Sequence, residues 1–578
     1  MIMTFDNSIV VIAVFILVIV GLIKFQNDSH RVFGVGFIAL VLTGQVTTQQ
    51  IISSFSNVGL LTLILLMVCS LALEKTSLLR KLARQIITPN YNLTWLRLYL
   101  LTSITSAFLN NTAVVATLLS PIRNNSHHNA SKLLIPLSYA AIFGGTLTLI
   151  GTSTNLIVNS MAIESGFPSL GFFDFTAIGI GVFIACGIAL RVMSQFLPDV
   201  EHKTVQAADY FIDLEVNANS KLIGKSIEEN GLRNLENVFL VEIYRDNRLI
   251  SPVSPSQTIE AHDRLLFSGD ISQIQRLLEL DGLFSFAGEN GLPVSNLTEV
   301  LIRPESVLVG KTLKRSGFRA LFDAAVVGIK RDGEKVSGKL GNVVLKAGDY
   351  LILATGEDFK YRKNISKNFY VISSNVETEQ VLTGSKETIA IWGFVLTIGL
   401  SACGLTSLFN GLIVLLTALI FSGCLTSNEI MHRLPRNIWI IIGSALVISN
   451  ALQNAGVLEQ FKGWLVSQSG YLTPILGLIV VYVITWLMTE LMTNNAAAAL
   501  VFPLAYSLSL SLGVNPEPYV LAVAFGASAS FISPYGYQTN LMVYSAGNYR
   551  LQDFVKIGLP ISVIYGTVVV AMLGYLYL

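Results

Sequence analysis

Two short polar clusters interrupt apolar runs long enough to cross a bilayer: 109–113 reads L-N-N-T-A, and 492–496 reads M-T-N-N-A. In lipid such a run must fold as a helix, because each backbone polar group has to be satisfied within the segment. Paired amides and hydroxyls are costly there unless they are buried against a partner or line a polar site. The flanks of the clusters match too. Asn111 is followed by Pro121 and Asn494 by Pro503; Gly151-Thr152-Ser153-Thr154-Asn155 answers Gly536-Tyr537-Gln538-Thr539-Asn540. The Asn-to-Gly separations are 151−111 = 40 and 536−494 = 42, and Ala72-Leu73 upstream answers Ala451-Leu452. Two halves that each carry two polar, Gly-rich interruptions are the pattern expected of a secondary transporter with internal repeats and a midplane site.

The rest of the composition agrees with a polytopic membrane protein. Of the 578 residues, 52% are hydrophobic and 13% charged. The charges are concentrated: 23 of the 38 Lys and Arg and 26 of the 37 Asp and Glu fall within 201–387. A mixed-charge soluble module is therefore inserted between two membrane halves. A net charge of +1 gives no basic surface for a nucleic-acid partner. Cys69, Cys186, Cys403 and Cys424 lie in apolar stretches without C-x-x-C spacing and read as packing residues. The apolar stretch 9–22 lacks a basic leader and a small-residue cleavage site, so it reads as a retained first helix.

Hydropathy predicts membrane segments at 7–24, 32–45, 57–74, 95–122 (broken at Asn110), 133–160 (broken near Gly151) and 174–195. The second half gives 388–407, 410–426, 437–453, 472–512 (broken near Asn494), 517–546 (broken near Gly536) and 555–577. Amphipathic stretches at 74–95 and 454–470 suit interfacial helices. Lys75, Arg80, Lys81 and Arg84 place the end of the third segment inside, whereas Arg433 and Arg436 place the start of its counterpart inside. The repeats are thus expected to be inverted, with the insert cytoplasmic.

The insert carries a repeat of its own. Leu222-Ile223-Gly224-Lys225 matches Leu308-Val309-Gly310-Lys311, Arg245-Asp246 matches Arg331-Asp332, and Asp263 matches Asp349, always at an offset of 86. Each copy reads as a strand, a Gly turn, a short helix (227–232 or 313–318) and a hairpin such as 238–250 turning at Asp246-Asn247. The Lys and Arg beside the turns are expected to be solvated.

The paired tips, Thr489-Glu490 before the second, and the run Ser533-Pro534-Tyr535-Gly536-Tyr537-Gln538-Thr539-Asn540 resemble the divalent anion/sodium symporter family of dicarboxylate and sulfate carriers. The insert copies resemble the C-terminal subdomain of regulators of potassium conductance (TrkA-C-like). The resemblance implies an elevator-type homodimer in a bacterial-type cytoplasmic membrane, with inverted repeats and re-entrant hairpins. Its domains are a first membrane repeat (1–200), two TrkA-C-like α+β units (207–285 and 292–372) and a second membrane repeat (386–578). Carried over by position, one sodium ion meets Ser106, Asn110, Asn111 and Gly151, and another meets Thr489, Met492, Asn494 and Gly536. The anion meets Asn110, Asn111 and Thr112 on one side and Thr493, Asn494 and Asn495 on the other, with Thr152, Thr154 and Thr539 nearby. The family's S-N-T tip reads N-N-T and T-N-N here, and its proline pairs are replaced by Ser153-Thr154 and Gln538-Thr539.

These residue types suit the chemistry. Sodium takes hard oxygen ligands, which broken helices supply as freed carbonyls beside hydroxyls and amides. An anion takes donors, which helix N-termini and amides supply. No Lys or Arg lies at either tip, so anion binding would depend on co-bound sodium. One Asn or Thr pair alone commonly just bonds a neighbouring helix; four interruptions at matched spacing favour a site. Glu490 reads equally as a structural acceptor or a cation carrier. Tyr535 and Tyr537 line the path or cap an interface, and His127 and His128 read as solvated. The extra amides and lost prolines point to sulfate first and dicarboxylate second. A nucleotide-responsive sensor or channel is the alternative of another class, and the regulatory ligand of the insert is open. No Walker loop, H-E-x-x-H or G-x-S-x-G is present, which disfavours an ATP-driven pump.

Overall fold

The computed structural model describes residues 7–578 except 26–27, 78–80, 82–84, 124, 126, 200–210, 233–237, 246–247, 251–252, 270–282, 286–296, 305, 332–333, 337–339, 357, 360–361, 363, 373–381, 458–459, 461–472 and 548. The first half forms α1 (Asn7–Lys24), α2 (Ser29–Leu42), α3 (Thr48–Phe55), α4 (Val58–Glu74), α5 (Tyr91–Ser106), α6 (Asn111–Arg123), α7 (Leu134–Gly145), α8 (Ser153–Glu164) and α9 (Thr176–Met193). The second forms α10 (Ser385–Ala402), α11 (Leu408–Phe421), α12 (Ser427–Arg433), α13 (Arg436–Asn454), α14 (Pro474–Leu491), α15 (Asn494–Leu512), α16 (Glu517–Ser528), α17 (Gln538–Ala546) and α18 (Leu551–Tyr577). The described helices of the two halves correspond one for one. Six helical spans among the described residues are long and apolar enough to cross a membrane.

The hydropathy segments match these helices, with two differences. First, the short helices α3 and α12 stand apart from their neighbours. Both open with a capping box, Thr47 with Gln50 and Thr426 with Glu429. That T-x-x-Q/E signal is legible in the sequence, but helices this short vanish in a hydropathy window. Second, the breaks before α8 and α17 span 146–152 and 529–537 and begin well before Gly151 and Gly536. The amphipathic stretch at 454–470 falls largely outside the described residues, as does the Asp246-Asn247 turn; of the stretch at 74–95 only 78–80 and 82–84 do, and its end from Tyr91 onward is the start of α5.

The halves interlock by exchange. α2 packs on α13 and α4 on α11; α6 packs on α17 and α15 on α8; α9 packs on α18. Within each half the long helix leading to a tip lies against the helix that follows the tip hairpin, α5 on α7 and α14 on α16. Matched glycines allow this closeness. A Cβ on Gly144 would lie 2.6 Å from the Ser103 Cα, and one on Gly526 would lie 2.9 Å from the Thr485 Cβ. Cys69, Cys186 and Cys424 are buried as expected, whereas Cys403 is exposed because it follows the end of α10.

The insert forms two five-stranded antiparallel sheets. Strands β1 (Phe211–Val216), β2 (Val238–Arg245), β3 (Arg248–Ile250), β4 (Arg264–Gly269) and β5 (Leu283–Ser285) run in the order β3-β2-β4-β1-β5. Strands β6 (Leu297–Ile302), β7 (Ala324–Arg331), β8 (Glu334–Lys335), β9 (Tyr350–Thr355) and β10 (Phe369–Val371) repeat that order as β8-β7-β9-β6-β10. Even the register shift recurs, at Leu240/Glu242 and again at Val326/Gly328. The short helices differ from expectation. Residues 227–232 are successive turns, and 313–318 divides into Leu313–Ser316 and Phe318–Phe322 because Gly317 is left-handed at φ 62°. Arg245 and Arg331 are not solvated either. Each clamps its buried partner, Asp263 or Asp349, through two bonds of 2.7–2.8 Å. A carboxylate buried in a small α+β unit needs such a bidentate cation.

The second sheet docks on the helices. Its Leu301, Tyr350, Ile352, Ala354 and Tyr370 join the apolar core of the helical part, while Val300, Ile302, Leu351 and Leu353 form the sheet's own core. All of β9 is consequently buried. At the corresponding positions the first unit carries Glu215, Arg264 and Leu266, all partly exposed, and its core is separate. Arg123, at the end of α6, bonds Glu299 at 2.5 Å and stacks 4.8 Å from the Tyr350 ring centre. Ser545, near the end of α17, donates to the Gly348 carbonyl at 2.8 Å.

Candidate functional site

Four helices begin where the two halves meet: α6 and α15 after the tips, α8 and α17 after the Gly-rich breaks. Each tip faces the break of the other half. Thr112, one residue past Asn111, lies 3.2 Å from the Gln538 amide oxygen; Ser153 donates to Asn495, one residue past Asn494, at 2.9 Å. Between these pairs the Thr152 and Tyr537 hydroxyls, each one residue past its glycine, lie 3.2 Å apart.

On one side Asn111 is the hub. Its amide is best satisfied with the nitrogen toward Ser106 Oγ (2.5 Å), Ala141 O (3.2 Å) and Gly151 O (3.2 Å), and the oxygen accepting from the Tyr537 hydroxyl (2.8 Å). An NH2 group thus occupies a nest of three oxygens. On the other side the Thr489 hydroxyl lies 3.1 Å from Asn494 Oδ1 and donates to the Ala527 carbonyl at 2.7 Å. A Cβ on Gly536 would fall 2.9 Å from the Thr489 carbonyl oxygen and against Ser530 Oγ. That Ser530 hydroxyl is buried without a hydrogen-bond partner. Met492 is buried and extended at φ −142° and ψ −176°, which takes its carbonyl out of the α14 hydrogen-bond series.

The structure therefore brings Ser106, Asn111 and Gly151 into one cluster and Thr489, Asn494 and Gly536 into another. Asn110 is exposed at its tip, and its amide oxygen accepts the Thr112 backbone N–H at 2.9 Å. Thr493 is half-buried, 3.4 Å from the Ser29 hydroxyl at the start of α2. Thr154 and Thr539 stand behind the tips rather than facing them. Thr154 bonds Ser528 at 2.8 Å and Thr539 bonds Ser138 at 2.9 Å. The Thr154 hydroxyl also donates to the Thr152 hydroxyl at 3.4 Å, so it backs the central pair from behind.

Sequence reasoning missed Ser153 and Gln538 and left Tyr537 undecided; the positional match to Thr152 was the available signal. It also left Glu490 open. The Glu490 carboxylate accepts the backbone N–H groups of Phe531, Ile532 and Ser533 at 3.0, 3.0 and 2.9 Å, so it supports the second break as a structural acceptor. His128 is not simply solvated: its Nε2 lies 2.7 Å from the Thr88 carbonyl.

Three of the four helix starts leave backbone N–H groups without a side-chain cap. Thr152, Thr493 and Tyr537 occupy the N-cap positions of α8, α15 and α17 with extended backbone, yet none caps its helix with its side chain. Thr47, Thr426 and Thr473 do cap theirs. The first-turn N–H groups of α8, α15 and α17 thus keep donor capacity, whereas Asn110 caps α6, and the helix dipoles add positive potential.

Buried amides, hydroxyls and helix N-termini meet between the two halves of a multi-span helical protein, and the family match makes that protein an anion transporter and not an enzyme. The chain belongs to the citrate transporter family (CitMHS), which matches residues 10–526. It is 30% identical over 565 residues to an uncharacterized transporter of Synechocystis sp., covering 91% of this chain and 90% of that protein. An uncharacterized transporter of Escherichia coli is 27% identical, with 97% of this chain and 98% of the relative covered. Sodium/sulfate cotransporter 1 of Chlamydomonas reinhardtii is 27% identical over 377 residues, which is 62% of this chain and 42% of that longer protein.

Proposed function

We propose that the protein is a sodium-coupled symporter of a small divalent oxyanion, with sulfate as the substrate. The observation that carries this reading is the pairing of oxygen-rich clusters with uncapped helix N-termini around one centre, in stretches without Lys or Arg. Sodium fits the clusters. In the first, Ser106 Oγ and the Ala141 and Gly151 carbonyls surround the Asn111 amide; in the second, the unpartnered Ser530 hydroxyl lies beside Thr489 and Gly536. Asn110 and Met492 would complete the two sets.

The Asn111 amide offers a route to coupling. Without sodium its nitrogen faces the oxygens and its oxygen faces the site centre, where it repels an anion. A sodium ion in the cluster reverses the amide, so that the oxygen coordinates the cation and the nitrogen is presented to the anion. Cation and anion then bind with positive linkage. Thr112, Thr152, Thr493, Asn494 and Asn495 supply further donors, and Thr154 and Thr539 hold the breaks in place.

The reading extends to inverted repeats, re-entrant tips and elevator motion in a homodimer in the cytoplasmic membrane. The exchange of packing partners between the halves supports it. The two insert units are TrkA-C-like cytoplasmic domains in this reading, and docking of the second unit on the ends of α6 and α17 supports a regulatory role. Carboxylate transport is the second reading, favoured by the description of the family.

The test is uptake of labelled sulfate and labelled succinate into proteoliposomes under a sodium gradient, with potassium as control. Sodium-dependent sulfate uptake, lost in Asn111→Ala and Asn494→Ala, is expected. Succinate uptake alone overturns the substrate. Deleting residues 207–372 is expected to change transport kinetics, and unchanged kinetics in folded protein overturn the regulatory role.

A further inference from the structure

Tyr537 is where the two halves of the site differ most. Its positional counterpart is Thr152, so one small side chain and one large one meet at the centre. The Tyr537 side chain is 8% exposed and its hydroxyl lies 2.8 Å from the Asn111 amide and 3.2 Å from Thr152 Oγ1. The phenolic oxygen therefore joins the asparagine of the first tip to the threonine that follows Gly151.

We propose that Tyr537 is the specificity-determining residue of the anion site, setting the size limit of the ligand and supplying a hydrogen-bond donor that sodium releases. The inference rests on the symport reading above. A phenol has a single proton to donate. In the sodium-free arrangement that proton goes to the Asn111 oxygen. Once sodium turns the amide, Asn111 presents its nitrogen, the phenol proton is left with only the Thr152 hydroxyl at 3.2 Å, and a fully deprotonated oxyanion, the stronger acceptor, takes the place of the amide oxygen. The ring fills space that a threonine would leave open, so a compact tetrahedral anion fits where a four-carbon dicarboxylate does not. A ligand built only of acceptors matches the donors around it, which are two amides, two hydroxyls and the helix N-termini.

The test uses the full-length protein in proteoliposomes with sulfate and succinate, comparing Tyr537→Phe and Tyr537→Thr with wild type at low and saturating sodium. Tyr537→Phe keeps the ring and loses the proton. It is expected to raise the sulfate KM about 10-fold at saturating sodium, as for one lost buried hydrogen bond, and to leave succinate excluded. The sodium dependence of that KM should shrink as well, which a merely structural role would not produce. Tyr537→Thr, the residue of the other half, is expected to raise succinate relative to sulfate uptake at least about 10-fold. A sulfate KM and a succinate-to-sulfate ratio within twofold of wild type in both variants overturn the proposal. If Tyr537→Thr does not fold, the Tyr537→Phe KM and its sodium dependence decide alone. If wild type carries another anion and no sulfate, the substrate reading falls, and the same KM comparison on that anion still decides the role of Tyr537.

Discussion

Asn111→Asp replaces one NH2 group by an oxygen of nearly the same size, and the nest around Asn111 makes its effect calculable. The amide nitrogen faces Ser106 Oγ at 2.5 Å and the Ala141 and Gly151 carbonyls at 3.2 Å each. In the variant an acceptor stands among acceptors. The Ser106 hydroxyl can rotate its proton toward the new oxygen, which repairs that contact. The Ala141 carbonyl keeps its helical partner within α7, but the Gly151 carbonyl loses this donor, and at about 1–3 kcal/mol per unsatisfied buried group the variant loses about 1–3 kcal/mol without sodium. With sodium bound, the same four oxygens become a cation site and most of the loss is recovered by linkage. Thermal unfolding of the purified protein in sodium or potassium chloride measures this. The variant should unfold earlier than wild type in potassium, and sodium should protect it more than it protects wild type. Sulfate uptake should be lost regardless, since a carboxylate faces the anion. Equal destabilisation in both salts would refute the assignment of this nest to sodium.

Three further outcomes are expected. Arg123 and Glu299 are 10% and 25% exposed in their side chains, so a double-mutant cycle with Arg123→Ala and Glu299→Ala should give a coupling of about 1–3 kcal/mol in unfolding; a value indistinguishable from zero would mean that the pair does not hold the second insert unit to α6. Glu490→Gln keeps the shape but weakens three N–H bonds, and a drop of about 1–3 kcal/mol in stability is expected in sodium and potassium alike; a sodium-specific effect would make Glu490 a cation ligand instead. Burial alone would raise the Glu429 carboxyl, but bonds from Lys75 and Thr426 outweigh it and hold the group below the ordinary glutamate range. A lowered folded value stabilises above the unfolded value of about 4.3 and is lost as pH falls through the folded one, so stability should drop below about pH 4 by less in Glu429→Gln than in wild type.

Most of the helical architecture was legible, and the reasons are local. Apolar runs, Asn tips and Gly-rich breaks are covalent neighbours, so the boundaries of α6, α8, α15 and α17 follow from short windows. The helix expected at 227–232 was not legible correctly, because six residues hold too few backbone bonds to form a helix against the pull of the Gly224 and Gly231 turns, both at positive φ. Arg245 and Arg331 were misjudged because their partners, Asp263 and Asp349, lie 18 residues on and are buried, at 0% and 1% exposure of the side chain. The offset of 86 paired both residues with their repeats but could not pair them with each other.

The sequence by itself determined that this chain is a multi-span membrane protein with two polar tips, two Gly-rich breaks and a duplicated insert. Hydropathy, punctuation and a constant offset act through residues near one another in the chain or repeated along it. Only the tertiary structure decided which groups meet. Thr112 with Gln538 and Ser153 with Asn495 are separated by 426 and 342 residues, and no local propensity can express such pairings. It also decided that Tyr537 fills the centre between the tips, and that the second insert unit rather than the first rests on α6 and α17. These contacts arise where faces of distant elements complement one another, a property of the packed chain and not of any one stretch of it.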